Sequence, residues 1–218
     1  MRVSKPRFHV LPAGATIVHV STLTQRIFIL LAVVALAGCG GGTKNVSESA
    51  LPKLVLQPAD LPPMFVRFDA GTLSPRDLSA PRTDPSRFGR RGGWKARYRR
   101  AGSAATRGPL VVQSTVDLFD SAGGARRDLR AYRIQFEVAV SQPGTKLVPA
   151  PTMGGASYAL AQRQPGAIRP VLFFTVAWRD RNVTASVLVE GFEGRITLGD
   201  AAALALKQQR RIARAGSG

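Results

Sequence analysis

Imidazoles and thiols are nearly missing from this chain: 218 residues hold two histidines, His9 and His19, and one cysteine, Cys39. Everything beyond residue 39 therefore lacks the groups for Ser-His-Asp or Cys-His catalysis, for zinc held by His or Cys, and for a disulfide. Acidic side chains are scarce as well, 13 Asp plus Glu against 31 Lys plus Arg. Long hydrophobic runs are also wanting. The run Ile27 to Ala37 has eleven apolar residues, too few to span a bilayer.

That run has the length of a signal-peptide hydrophobic segment, with Arg26 before it and Leu36-Ala37-Gly38-Cys39 at its end. The four residues resemble the lipobox of bacterial lipoproteins, where the thiol receives a diacylglyceryl group and the peptide bond before it is cut. The resemblance implies a mature chain that begins at an acylated Cys39 and sits on the extracytoplasmic face of the cell membrane. Two or three acyl chains meet the rule that stable anchoring takes more than one lipid. Met1 to Gln25 is long for a leader and carries only Arg2, Lys5 and Arg7 as charges; initiation at Val20 would leave a compact one. Residues 1–38 are thus read as signal peptide, with 1–19 set aside from the fold. Residues 39–50, rich in Gly and Ser, read as a flexible tether, and 51–216 as a single domain with room for a real core.

Loss of residues 1–38 removes four basic residues and no acidic one, which leaves 27 against 13 and a net charge of +14. Such a chain belongs in anionic surroundings, lipid headgroups or wall polymer among them.

Period-two patterning predicts strands at Phe65–Asp69, Trp94–Arg99, Leu110–Phe119 and Ala156–Gln162. Ile168–Arg179 and Val183–Gly191, separated by Asp180-Arg181-Asn182, predict a hairpin. The segment from Gly71 to Gly93, broken by Pro75, Pro81 and Pro85, reads as an exposed loop. Asp120-Ser121 supplies a cap for a helix to about Val140, whose apolar stripe is Ala125, Leu129, Tyr132, Phe136 and Ala139. Thr197 with Asp200 three residues on predicts a capping box before a closing helix. The sum is an α+β fold: an antiparallel sheet packed by a long central helix and a C-terminal helix. Phe174, Val176, Trp178, Leu129 and Phe136 are expected to pack together as its core.

Three stretches carry a family resemblance: Gln57-Pro58-Ala59-Asp60-Leu61-Pro62-Pro63, Phe119-Asp120-Ser121-Ala122, and Trp178-Arg179-Asp180-Arg181-Asn182-Val183. They resemble actinobacterial lipoproteins and kinase sensor domains of the PknH-sensor and LpqN type. That resemblance implies a PsbP-like α+β fold and brings no catalytic residue with it. The paired cysteines of the kinase sensor domains have no counterpart here.

Two basic rows invite an anionic partner: Lys95, Arg97 and Arg99 on one face of a strand, and Arg126, Arg130 and Arg133 on the polar face of the long helix. Either could meet anionic lipid or wall polymer. Trp94 and Tyr98 alternate away from the first row, which argues against nucleic acid, since single-strand binders expose their aromatics for stacking. Glu190 and Glu193 are the best-placed carboxylate pair, without a nucleophile, metal ligand or cofactor motif beside them. Asn182-Val183-Thr184 matches a glycosylation acceptor, which a bacterial lipoprotein would not use. The expected function is a non-enzymatic binding or sensor module, with a groove between helix and sheet for a small apolar or anionic ligand. The alternative is a structural lipoprotein that docks an envelope protein partner.

Overall fold

Alternating runs of Val, Thr and aromatic residues become seven strands of one antiparallel sheet in the computed structural model, which describes residues 44–74, 77 and 83–216. The strands are β1 (Val66–Thr72), β2 (Arg90–Arg99), β3 (Val111–Phe119), β4 (Thr145–Val148), β5 (Ala156–Gln164), β6 (Val171–Asp180) and β7 (Val183–Phe192). Their spatial order is β1-β2-β3-β7-β6-β5-β4. A short α1 (Leu51–Leu54) precedes the sheet, α2 (Ala122–Ala139) joins β3 to β4, and α3 (Leu198–Ala215) closes the chain. The predicted α+β class, its long helix and its closing helix are all present. Gly41–Gly218 forms a compact unit that holds the whole sheet and both core clusters.

Capping chemistry sets both long helices. The Ser121 hydroxyl accepts from the Gly124 amide at 3.2 Å, and Thr197 and Asp200 make the predicted capping box. The two helices lie on opposite faces of the sheet. Val176, Trp178, Val187 and Tyr98 share a cluster with Leu204 and Ile212 of α3 and Leu54 of α1. Leu129, Tyr132 and Phe136 of α2 pack instead on Leu160 and Ala177. The single core expected from Phe174, Val176, Trp178, Leu129 and Phe136 is therefore two. Successive β6 residues point to opposite faces, so Trp178 and Ala177 meet different helices.

Two stretches differ from the sequence reading. β2 begins at Arg90, inside the segment read as loop, because its Gly-Gly pair has a packing use. A Cβ on Gly93 would strike the Arg90 side chain and come within 2.9 Å of the Val116 carbonyl; its absence lets Arg90 cross the strand to the buried Asp117. β4 is a four-residue edge strand paired only with β5, shorter than the pattern that periodicity detects.

Under α3 a buried polar chain ties the N-terminal segment to the sheet. Tyr98 donates to the Leu56 carbonyl at 2.7 Å, the Leu56 amide donates to Ser114 at 3.0 Å, and Ser114 donates to Gln208 at 2.8 Å. At the other end of the sheet Asn182 exchanges hydrogen bonds of 2.9 and 3.1 Å with the backbone of Val46 and donates to the Phe119 carbonyl at 3.0 Å. Val46, within the stretch whose composition reads as tether, is buried.

Candidate functional site

α2 is too narrow to cover its face of a seven-stranded sheet. Between its second half and the chain that follows β1 lies a cleft of about 270 Å³. The helix supplies Tyr132, Gln135, Phe136 and Ala139 as one wall, and Leu73 and Asp77 stand on the other. Strand alternation builds the floor. Gln113, Leu188, Thr175 and Leu160 form one cross-strand row, and Thr115 and Ser186 stand in the next. Gln162, Gln164 and Phe173 carry the floor toward its end.

Apart from Asp77, the lining divides into an apolar set, chiefly Tyr132, Phe136, Leu160, Phe173 and Leu188, and an uncharged polar set dominated by glutamine. Thr115 and Ser186 satisfy each other at 2.7 Å. Gln113 accepts from Arg97 at 3.0 Å, which leaves its amide nitrogen to donate. Among the described residues, the amides of Gln135, Gln162 and Gln164 take no protein partner. Each offers both a donor and an acceptor to an occupant.

Charge at the cleft's edge is already balanced. Lys95 bonds Asp69 at 3.0 Å and also Asp77, while Arg97 reaches Asp69 at 3.2 Å and Asp77 at 3.6 Å. Burial alone would raise the Asp77 carboxyl; hydrogen bonds from Lys95 and from the Ser74 hydroxyl and amide outweigh it and hold the group well below the usual carboxylate range. The same bonds push the Lys95 ammonium up. Glu190 alternates with Leu188 on the cleft face of β7 and faces Phe173 across the ladder. It is half-buried, and burial raises its carboxyl.

The sequence-predicted residues are scattered by the fold. Lys95 and Arg97 do not form the solvated basic row that alternation suggested; their side chains are 13% and 26% exposed and spent on Asp69 and Asp77. Arg99 is exposed and lies 5.4 Å above the Phe68 ring. Arg126 and Arg130 are exposed on α2, whereas Arg133 pairs with Glu137 at 2.8 Å and sits 5.9 Å from the Tyr158 ring. Glu193 is held by Arg163 at 2.8 Å, so it is committed elsewhere than to Glu190. Asn182 of the glycosylation-like triplet is buried. Leu36, Ala37, Gly38 and Cys39 lie outside the described residues.

Sequence reasoning missed the glutamine set and Asp77. A signal for the former was present: the polar ends of β5, Gln162 and Gln164, continue the face that Leu160 begins. Asp77 falls in a proline-broken loop with no period to read. No group of three or more His, Cys, Asp or Glu stands ready for a metal among the described residues. No helix among them is long and apolar enough to cross a membrane.

The fold and cleft define a class: an α+β domain whose central helix leaves part of one sheet face open as a concave site. No protein-family model matches the chain, and no curated protein matches it in sequence. Among solved structures it is similar to the extracellular domain of PknH from Mycobacterium tuberculosis, with a TM-score of 0.59 and 16% identity, over 79% of this chain and 100% of that one. The likeness is one of fold, in line with the PknH-sensor-like architecture that the three short motifs suggested.

Proposed function

We propose that this protein is a lipid-anchored, extracytoplasmic and non-enzymatic binding module: Cys39 carries the lipid, and the α2 cleft takes a small ligand. The observation that carries the reading is the cleft itself, in which three unpartnered glutamine amides face an apolar wall. Gln135 and Gln162 are half-buried and Gln164 is exposed, so their donors and acceptors are accessible to an occupant of the concave surface. Similarity of fold to the extracellular domain of PknH and the Leu36-Ala37-Gly38-Cys39 sequence after its apolar run support the address.

The lining also refines the ligand. Lys95 and Arg97 are neutralised by Asp69 and Asp77, so among the described residues neither of these cations is left over for an anion. The favoured occupant is uncharged, with hydrogen-bonding groups for the glutamines and an apolar part for Phe136 and Phe173. The experiment is native mass spectrometry of the domain purified from its own membranes, beside Gln162→Ala/Gln164→Ala and Phe136→Ala variants. A bound species that the variants lose supports the reading. A wild-type domain that arrives empty, and is not stabilised by envelope extracts, returns the case to the structural alternative.

That second reading has its own observation. Met64, Val66 and Phe68 are 55%, 65% and 47% exposed at or beside the free edge of β1, an apolar rim on which an envelope protein could add.

A further inference from the structure

We propose that the outward face of α2 is a docking surface for an anionic lipid leaflet, with Arg126, Arg127 and Arg130 on the headgroups and Ile134 and Val138 against the acyl boundary. The spacing puts all five on one face, since residues three, four and seven apart are helical neighbours. Ile134 and Val138 are 53% and 65% exposed. The three arginines are exposed, and among the described residues none has a carboxylate at ion-pair distance. Glu137, the acid on that face, is taken by Arg133. Uncommitted arginines beside exposed aliphatics are what an interfacial helix presents to lipid.

Of the basic residues nearest the cleft and on α3, several are already engaged. Lys95 and Arg97 serve the cleft's edge, Arg211 bonds the Asp60 carboxylate at 2.6 Å, and Lys207 donates to the Asp60 carbonyl at 2.6 Å. The entry of the chain favours α2 as well. Val46 is pinned to Asn182, which also holds Phe119, two residues before the α2 cap Ser121. Seven peptide steps separate Cys39 from Val46, and fully extended they reach no farther than about 25 Å. A lipid on Cys39 therefore keeps Val46 within that distance of the anchored residue and, through Asn182, brings the N-terminal end of α2 near the bilayer, where weak contacts act at high effective concentration. This orientation rests on the lipid-anchor reading; the chemistry of the face does not. The docking face is distinct from the cleft wall, so the two can be altered separately.

The test uses the unlipidated Gly41–Gly218 unit and vesicles of phosphatidylglycerol with phosphatidylcholine, beside vesicles of phosphatidylcholine alone. The protein should sediment with the anionic vesicles at low salt and be released as salt rises. Arg126→Glu/Arg127→Glu/Arg130→Glu should weaken that binding by about a hundredfold or more with no change in thermal midpoint. Ile134→Ser/Val138→Ser should weaken what persists at higher salt. Absence of binding to the anionic vesicles at low salt, or binding that survives the arginine reversal, overturns the proposal, as does capture by anionic wall polymer alone. A parallel Cys39→Ala chain in cells separates the two readings. Loss of membrane association there, with no vesicle binding by the unit, leaves the anchor and removes the docking face. Unchanged membrane association and acyl labelling removes the anchor.

Discussion

Asp77 shows how one side chain can belong to both stability and site. Its carboxyl is held low in the folded protein by Lys95 and Ser74 against the opposing pull of burial, whereas in the unfolded chain it returns to about 3.9. A group depressed on folding contributes stability that is present above the unfolded value and lost as pH falls toward the folded one. Lys95, raised by Asp77 and Asp69, contributes stability that is present below about pH 10.4 and lost as pH climbs beyond it. Other carboxyls shift too, Glu190 in the opposite direction, so the whole acid limb cannot be assigned to one residue. The difference between wild type and Asp77→Asn can. Measured by urea denaturation, that difference should be steady near neutrality and shrink on acidification below about pH 4; a difference that stays level down to pH 2 would show that the pairing contributes nothing.

At the scale of elements, β2 depends on a residue that looks like a strand breaker. Gly93 is in the strand because a side chain there would displace Arg90 from Asp117. Gly93→Ala should therefore destabilise by about 1–3 kcal/mol, the cost of overpacking, although alanine ordinarily favours regular structure over glycine. At neighbouring Gly92 a Cβ would meet the flexible tip of Leu51 at 3.1 Å, so Gly92→Ala should cost less. Chemical denaturation of the two variants side by side checks the order, and equal effects would point to the backbone rather than to the ion pair. α2 repeats the theme of an element whose type is local but whose place is not: its stripe of Ala125, Leu129, Tyr132 and Phe136 is buried as the spacing demands, yet periodicity says nothing about which sheet face receives it.

For the whole molecule, the consequence is a sheet with two independent cores. Val176 lies with α3 and Leu129 with α2, so truncations on the two sides should not feel each other. Val176→Ala removes two methyl groups, roughly 2 kcal/mol, and Leu129→Ala about 2–5 kcal/mol. The double variant should match the sum within about 0.5 kcal/mol, while Leu129→Ala with Leu160→Ala, which share a cluster, should depart from it. A large coupling between Val176 and Leu129 would mean that the sheet does not separate them.

Much of this architecture is legible in local chemistry. Alternation in β2, β3, β6 and β7, the Ser121 and Thr197 caps and the apolar stripe of α2 follow from backbone periods and hydrogen-bonding rules that act over a few residues. The apolar run before Gly38-Cys39, the lack of later thiols and imidazoles and the net charge of +14 beyond residue 38 need no fold at all. What only the tertiary structure decided is set by distant neighbours. Leu188 stands 75 residues after Gln113 yet opposite it in the ladder, and the cleft exists because α2 leaves that row uncovered. Lys95 and Arg97 read as a free basic row until the chain after β1 brings Asp77 beside them, whereas Arg126 and Arg130 stay exposed on α2, with no carboxylate at ion-pair distance among the described residues. Side-chain period reports which residues share a face; burial and pairing depend on what the rest of the chain lays against that face.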